Sequence, residues 1–208
     1  MWNDGEMGNE SESGFGCSVC GERHVLPLSY SVKAPMAVAA IPVEELQQRV
    51  VITPDQCVID GKDFYLRGRF LVPVIGLDEP FVWGVWAEVS PKNFLRSNEL
   101  WTVDGRENEP AFPGWLNSQL PVFGDTFNLE VNIQTQPVGQ RPQFTVIDEG
   151  HPLATEQRNG ITMERVEEIA AMMLHPSNEQ SWMCNDFYRD AGVVFLVESA
   201  NHAMPQRM

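Results

Sequence analysis

No long apolar run exists in this chain. Nowhere among its 208 residues do about 18 consecutive apolar side chains occur, the minimum for a helix that spans a bilayer. Positive charge is scarce too: 14 Lys and Arg stand against 29 Asp and Glu, for a net charge of −15. Removing the four acids Asp4, Glu6, Glu10 and Glu12 of the first stretch still leaves −11. Such a surface repels a phosphate backbone, so no nucleic-acid partner is expected. The first sixteen residues hold no Lys or Arg, which matches neither a secretory signal nor a transit peptide. A cytoplasmic protein without membrane attachment is therefore expected. Also missing are a phosphate-binding glycine loop, a dinucleotide fingerprint, a complete nucleophilic triad and a catalytic carboxylate pair. No reaction can be read from the residues directly.

What is present supports a real core. Hydrophobic residues make up 43% of the chain, with six tryptophans, and a domain of this length buries roughly 70% of the surface its unfolded chain exposes. It does not need metal merely to fold. Residues 1 to 15 are polar, Gly-rich and acidic and read as a flexible tail. Residues 16 to 175 read as one α+β domain, and residues 176 to 208 as an extension packed on or near it.

Along the domain, Pro27 to Val32 suits a short strand, and Pro42 to Arg49 a short helix with proline in its first turn and acids near its positive end. Cys57 to Asp60 and Phe64 to Val72 flank Gly61-Lys62 and predict a hairpin. Phe81, Trp83, Val85, Ala87 and Val89 alternate along one strand face, the expected core side. Ser90-Pro91 then opens a helix to about Trp101 that would bury Phe94, Leu95 and Trp101. Residues 102 to 126, rich in Gly, Pro and Asn, read as a long ordered connection anchored by Phe112 and Trp115. Phe127 to Ile133 alternates as a half-buried strand, with Gln143 to Ile147 as its antiparallel partner. Thr162 starts a helix that places Met163, Val166, Ile169, Ala170, Met173 and Leu174 on one face and stops before Pro176. Ser177 to Asp190 and Gly192 to Glu198 suit a further helix and strand. Strand pairs without regular β-α-β alternation point to an α+β fold, with a largely antiparallel sheet, a few packed helices and an N-terminal zinc-knuckle-like turn.

That turn is the strongest chemical signal. In Cys17-Ser-Val-Cys20-Gly-Glu-Arg-His24, two thiols three positions apart can approach one soft ion, and the glycine permits a tight turn. In a reducing compartment Cys17, Cys20, Cys57 and Cys184 are thiols or ligands rather than disulfide partners. The expected zinc ligands are Cys17, Cys20, His24 and Cys57, with His151 and Cys184 as reserves. Reduced cysteines with packing roles are the plainer alternative. If all four positions are filled by side chains, the ion is structural. An open position would instead ionise a water, with Glu22 or Glu156 as base. Dithiol exchange fits less well, because Gly21 and Pro27 follow Cys20 rather than a long helix pattern. His151 and Glu156, close together in His151-Pro-Leu-Ala-Thr-Glu156, are the candidate acid/base pair, although residues of this kind also shape turns. Trp83, Trp86, Trp101 and Trp115 suit core and rim packing better than a ligand cage.

Several stretches combine into a recognisable pattern: Cys17-x-x-Cys20-Gly-x-x-His24, Asp78 to Trp86 with Val89-Ser90, Gly114-Trp-Leu116, Leu120-Pro121, Asp125-Thr126 with Asn128-Leu129, and His151 to Ala154 with Glu156-Gln157 and Gly160-Ile161. In order and spacing they resemble an uncharacterised bacterial family, domain of unknown function 2199, from about residue 16 to about residue 175. The resemblance implies a cytoplasmic bacterial protein and supplies no reaction. The charge and the lack of a catalytic set favour a non-enzymatic protein with a structural zinc site that binds a basic protein partner, an immunity protein or inhibitor being one concrete form. The alternative is a metal-assisted hydrolase.

Overall fold

The computed structural model describes residues 14–175, and the structural statements below concern those residues. The expected tail up to residue 13, the extension from residue 176 with its expected helix and strand, and Cys184 lie outside them. Gly14 and Phe15, counted with the tail above, already belong to the first strand, where Phe15 is buried.

The chain opens with a small hairpin, β1 (Gly14–Gly16) and β2 (Arg23–Val25). A second sheet collects the remaining strands: β3 (Ser29–Ser31), then α1 (Leu46–Arg49), β4 (Val50–Ile52), β5 (Gln56–Ile59), β6 (Asp63–Val72), β7 (Phe81–Val89), α2 (Pro91–Glu99), β8 (Phe112–Leu116), β9 (Glu130–Gln134) and β10 (Gln143–Val146). Two helices, α3 (Pro152–Asn159) and α4 (Met163–Leu174), finish the described chain. Strands β6 to β10 form a closed five-strand barrel. Each neighbouring pair from β6–β7 to β9–β10 is antiparallel, and β10 returns to β6 in parallel with Gln143 beside Arg69. The sheet is thus mixed, and β3 also joins β7 in parallel. The length of β6 and β7 makes this possible: one half of β6 pairs with β5 and the other with β10, while β7 serves β3 and β8.

The alternating pattern of β7 works as its sequence requires. Phe81, Trp83, Val85, Ala87 and Val89 all enter the main core, with Leu66, Phe70, Leu116, Val131, Ile133 and Phe144 from the facing strands. Removing each large apolar side chain from water contributes roughly 1.5–3 kcal/mol. The opposite face of β7 is covered too. Trp86 is fully buried in a second cluster with Val32, Ile41, Cys57, Ile59 and Tyr65, and its indole N–H donates to Val32 O at 3.1 Å. One close approach shapes the barrel. Gly68 of β6 passes over the Phe144 ring, and any side chain at this position would overlap that ring.

The hairpin at Gly61 forms as expected, with Asp60 and Gly61 both left-handed and Lys62 N–H donating to Ile59 O at 3.0 Å. Ser90 caps α2 by accepting from Asn93 N–H at 3.2 Å. Four expectations shift. Leu95 is 60% exposed, because one helical step from buried Phe94 turns it about 100° away. The 102–126 connection contains β8, whose Pro113 and Gly114 hid a strand from propensity. Left-handed Asn128 delays β9 until Glu130, which leaves Phe127 exposed. In α4, Ala171 is buried where Leu174 was expected, and Leu174 is exposed.

Candidate metal centre

The turn between β1 and β2 is built by backbone bonds. Cys17 N–H donates to Glu22 O at 2.8 Å and Gly21 N–H donates to Cys17 O at 2.9 Å. Gly21 takes φ +78°, a conformation that glycine adopts without strain, so the loop reverses directly after Cys20. The antiparallel register sets Phe15 opposite His24. Phe15 and Cys17 then pack with Leu26 on Ala170 and Ala171 of α4, where small residues permit close approach.

Packing on α4 brings in the fourth donor. His175 follows the last residue of α4, its N–H donating to Ala171 O at 2.9 Å, and its ring stands edge-on to His24 with centroids 5.6 Å apart. Cys20 Sγ and His24 Nε2 are 3.1 Å apart. One ligand atom from each of Cys17, Cys20, His24 and His175 lies within 4.8 Å of all the others. Tetrahedral zinc with bonds of about 2.0–2.3 Å needs donor separations of about 3.3–3.8 Å, so the Cys20–His24 pair has to open slightly and the wider pairs to close by no more than about 1 Å. Two further observations fit an ion. His175 Nε2 is buried without a hydrogen-bond partner among the described residues. The backbone N–H of Cys20, helped by that of Val19, holds the Cys17 thiol below its ordinary pKa against the opposing effect of burial, which favours the thiolate a metal requires.

The structure divides the sequence candidates. Cys17, Cys20 and His24 come together; Cys57 does not join them. It sits on the inward face of β5 between Ile52 and Tyr65, with none of its surface exposed, in the cluster around Trp86. The alternation of β5 turns Cys57 the same way as Ile59, into hydrocarbon. Burial pushes its thiol up to about 12. His151 is the N-cap of α3, the helix that carries Glu156; its Nδ1 accepts from Leu153 N–H at 3.1 Å. Glu156 is paired with Arg165 at 2.9 Å. Neither belongs to the Cys/His group. Glu22 contributes its carbonyl to the knuckle. After Cys20 the chain enters a strand, so no helix dipole supports dithiol exchange.

A model of the family described as "Uncharacterized protein conserved in bacteria (DUF2199)" matches residues 16–161. The chain belongs to this family. Searches of curated proteins and of solved structures returned no match. Within the family-matched range lie the knuckle and its first three donors, whereas His175 lies past the end of that range and is supplied by α4. Sequence reasoning missed it. The available signal was a histidine directly before Pro176, where a helix must stop and a side chain can project beyond the last turn. Among the described residues, no helix is long and apolar enough to cross a membrane.

The burial of Cys57 carries a prediction of its own. With its thiol pushed up to about 12, Cys57 should resist iodoacetamide at pH 8 in the native protein and react once the chain is unfolded, as read by peptide mass mapping. The folded pKa lies above the ordinary value of 9.0, so the unfolded chain loses this proton first and the thiol's contribution to stability falls as pH rises from about 9 towards about 12. Modification of native Cys57 at the rate of a free thiol would contradict its placement.

Proposed function

We propose that the protein is a non-enzymatic binding protein whose N-terminal knuckle is fastened to α4 by one structural zinc ion held by Cys17, Cys20, His24 and His175. The observation that carries this reading is the meeting of two thiols and two imidazoles, all within 4.8 Å, from segments at opposite ends of the described chain. Two sulfurs and two nitrogens suit zinc better than harder cations. With four side-chain donors no coordination position remains for a reactive water, which favours a structural role over a hydrolytic one. His151 and Glu156, the sequence's acid/base candidates, are engaged in a helix cap and an ion pair. Bound there, zinc would supply attachment rather than Lewis acidity.

The binding role rests on charge and shape. A surface of net charge −15 steers basic partners, as an immunity protein or inhibitor of a basic toxin would need. An open groove of about 820 Å³ lies between α2 and the segment Glu109 to Phe112, so the 102–126 connection forms one of its walls. A cytoplasmic location in a bacterium completes the reading.

Metal analysis of protein purified without added metal should give one zinc per chain, and X-ray absorption should give a shell of two sulfurs and two nitrogens. Three protein ligands plus an oxygen would favour the hydrolase instead. Affinity capture from a bacterial lysate should return a basic protein whose retention weakens with salt; the absence of any specific basic partner would count against the binding role.

A further inference from the structure

We infer that the outer face of the barrel beside β3 is a binding site for a compact oxyanion, inorganic phosphate or the phosphate group of a small phosphomonoester, formed around Arg67, Arg69 and Arg141. Register brings these groups together. Arg67 and Arg69 lie on the same face of β6, opposite Trp86 and Gly84 of β7, and Gly84 in turn pairs with Ser31 of β3. Because Gly84 has no side chain, the Ser31 hydroxyl lies directly over it and accepts from Arg67 at 2.5 Å. Arg67 is buried over the Trp86 ring, 6.0 Å from its centroid. Arg141 arrives from the loop before β10, where Pro142 O accepts from Arg69 N–H at 2.9 Å. Asp55 links the set: its carbonyl accepts from Arg67 N–H at 2.9 Å and its carboxylate accepts from Arg141 Nε at 2.7 Å.

Arg69 is the anomaly. Among the described residues, each other arginine side chain meets a carboxylate or donates to a carbonyl or hydroxyl oxygen. Arg69 has no such contact, its Nε–H is buried and unpartnered, and burial followed by the charge of Arg141 lowers its pKa. A half-buried guanidinium without a partner, beside a second cation, costs stability. Arrangements of this kind cluster at functional sites, and the guanidinium fork matches the oxygens of phosphate. Arg141 is paired with the Asp55 carboxylate, whereas Arg69, on the same face, meets no carboxylate among the described residues of an otherwise strongly acidic protein. An oxyanion seated here would satisfy the Arg69 N–H groups and relieve the repulsion between Arg69 and Arg141.

The test uses the full chain at constant ionic strength, with inorganic phosphate and O-phosphoserine as probes, followed by calorimetry and thermal melting. Saturable binding is expected, with a rise in melting temperature of about 5–10 °C at a concentration a hundredfold above Kd. Tighter binding of O-phosphoserine identifies a monoester as the ligand; equal or tighter binding of inorganic phosphate identifies the free ion. Arg69→Gln should abolish the rise and, without ligand, melt no lower than the wild type, since it removes an unpaired cation. The inference is overturned if the wild type shows no saturable heat with either probe, or if Arg69→Gln responds to phosphate as the wild type does.

Discussion

Cys17→Ser is expected to lose the zinc proposed for the Cys/His group and to melt well below the wild type. A ligand present at a thousandfold excess over its Kd stabilises the folded state by about 4 kcal/mol, so losing zinc under those conditions should lower the melting temperature by about 8–16 °C. The comparison that gives this result meaning is Cys57→Ser. Cys57 is enclosed in apolar side chains away from the Cys/His group, so its variant should keep full metal content while losing about 1–3 kcal/mol to a buried hydroxyl. Chelation should shift the wild type and Cys57→Ser but leave Cys17→Ser unchanged. Wild-type zinc content in Cys17→Ser, measured by elemental analysis, would remove the basis for the metal centre.

The second large effect lies in the barrel. Gly68→Val places branched carbons where the Phe144 ring already sits, and that ring is fully buried and packed edge-on to Phe70 with centroids 6.0 Å apart. Overpacking usually costs about 1–3 kcal/mol because neighbours yield; an enclosed aromatic ring has nowhere to go. A loss beyond about 4 kcal/mol is expected, enough to unfold much of the population or drive it into aggregates. Phe144→Leu in the same chain should recover part of the loss, since the two positions share one space, and urea denaturation of the single and double variants measures that coupling. A Gly68→Val protein with wild-type denaturation would show that β6 does not pass over Phe144.

Periodic segments were legible because their burial follows from repeat alone. The odd-numbered face of β7 and the caps at Ser90 and Thr162 needed nothing beyond local chemistry. What escaped depends on distant partners. β8 reads as a loop because Pro113 and Gly114 are poor strand formers, yet pairing with β7 and β9 overrides that preference. Cys57 looked like a ligand at a strand start, but strand alternation decided which way it turned, and only the neighbouring strands reveal what lies there. His175 illustrates the same limit from the other side: a single histidine after an amphipathic helix gains meaning once Ala170 and Ala171 seat the knuckle beside it.

The parallel return of β10 to β6 also governs how this chain acquires its structure. Antiparallel neighbours can zip from their turns while the ribosome is still translating, whereas the pairing of Gln143 with Arg69 must wait until the fifth barrel strand has emerged. Closing so long a loop is entropically costly, and such non-local topologies fold in milliseconds to seconds. Until then both free margins of the nascent sheet are open to neighbouring chains, so newly made protein should depend on chaperones more than the finished molecule does.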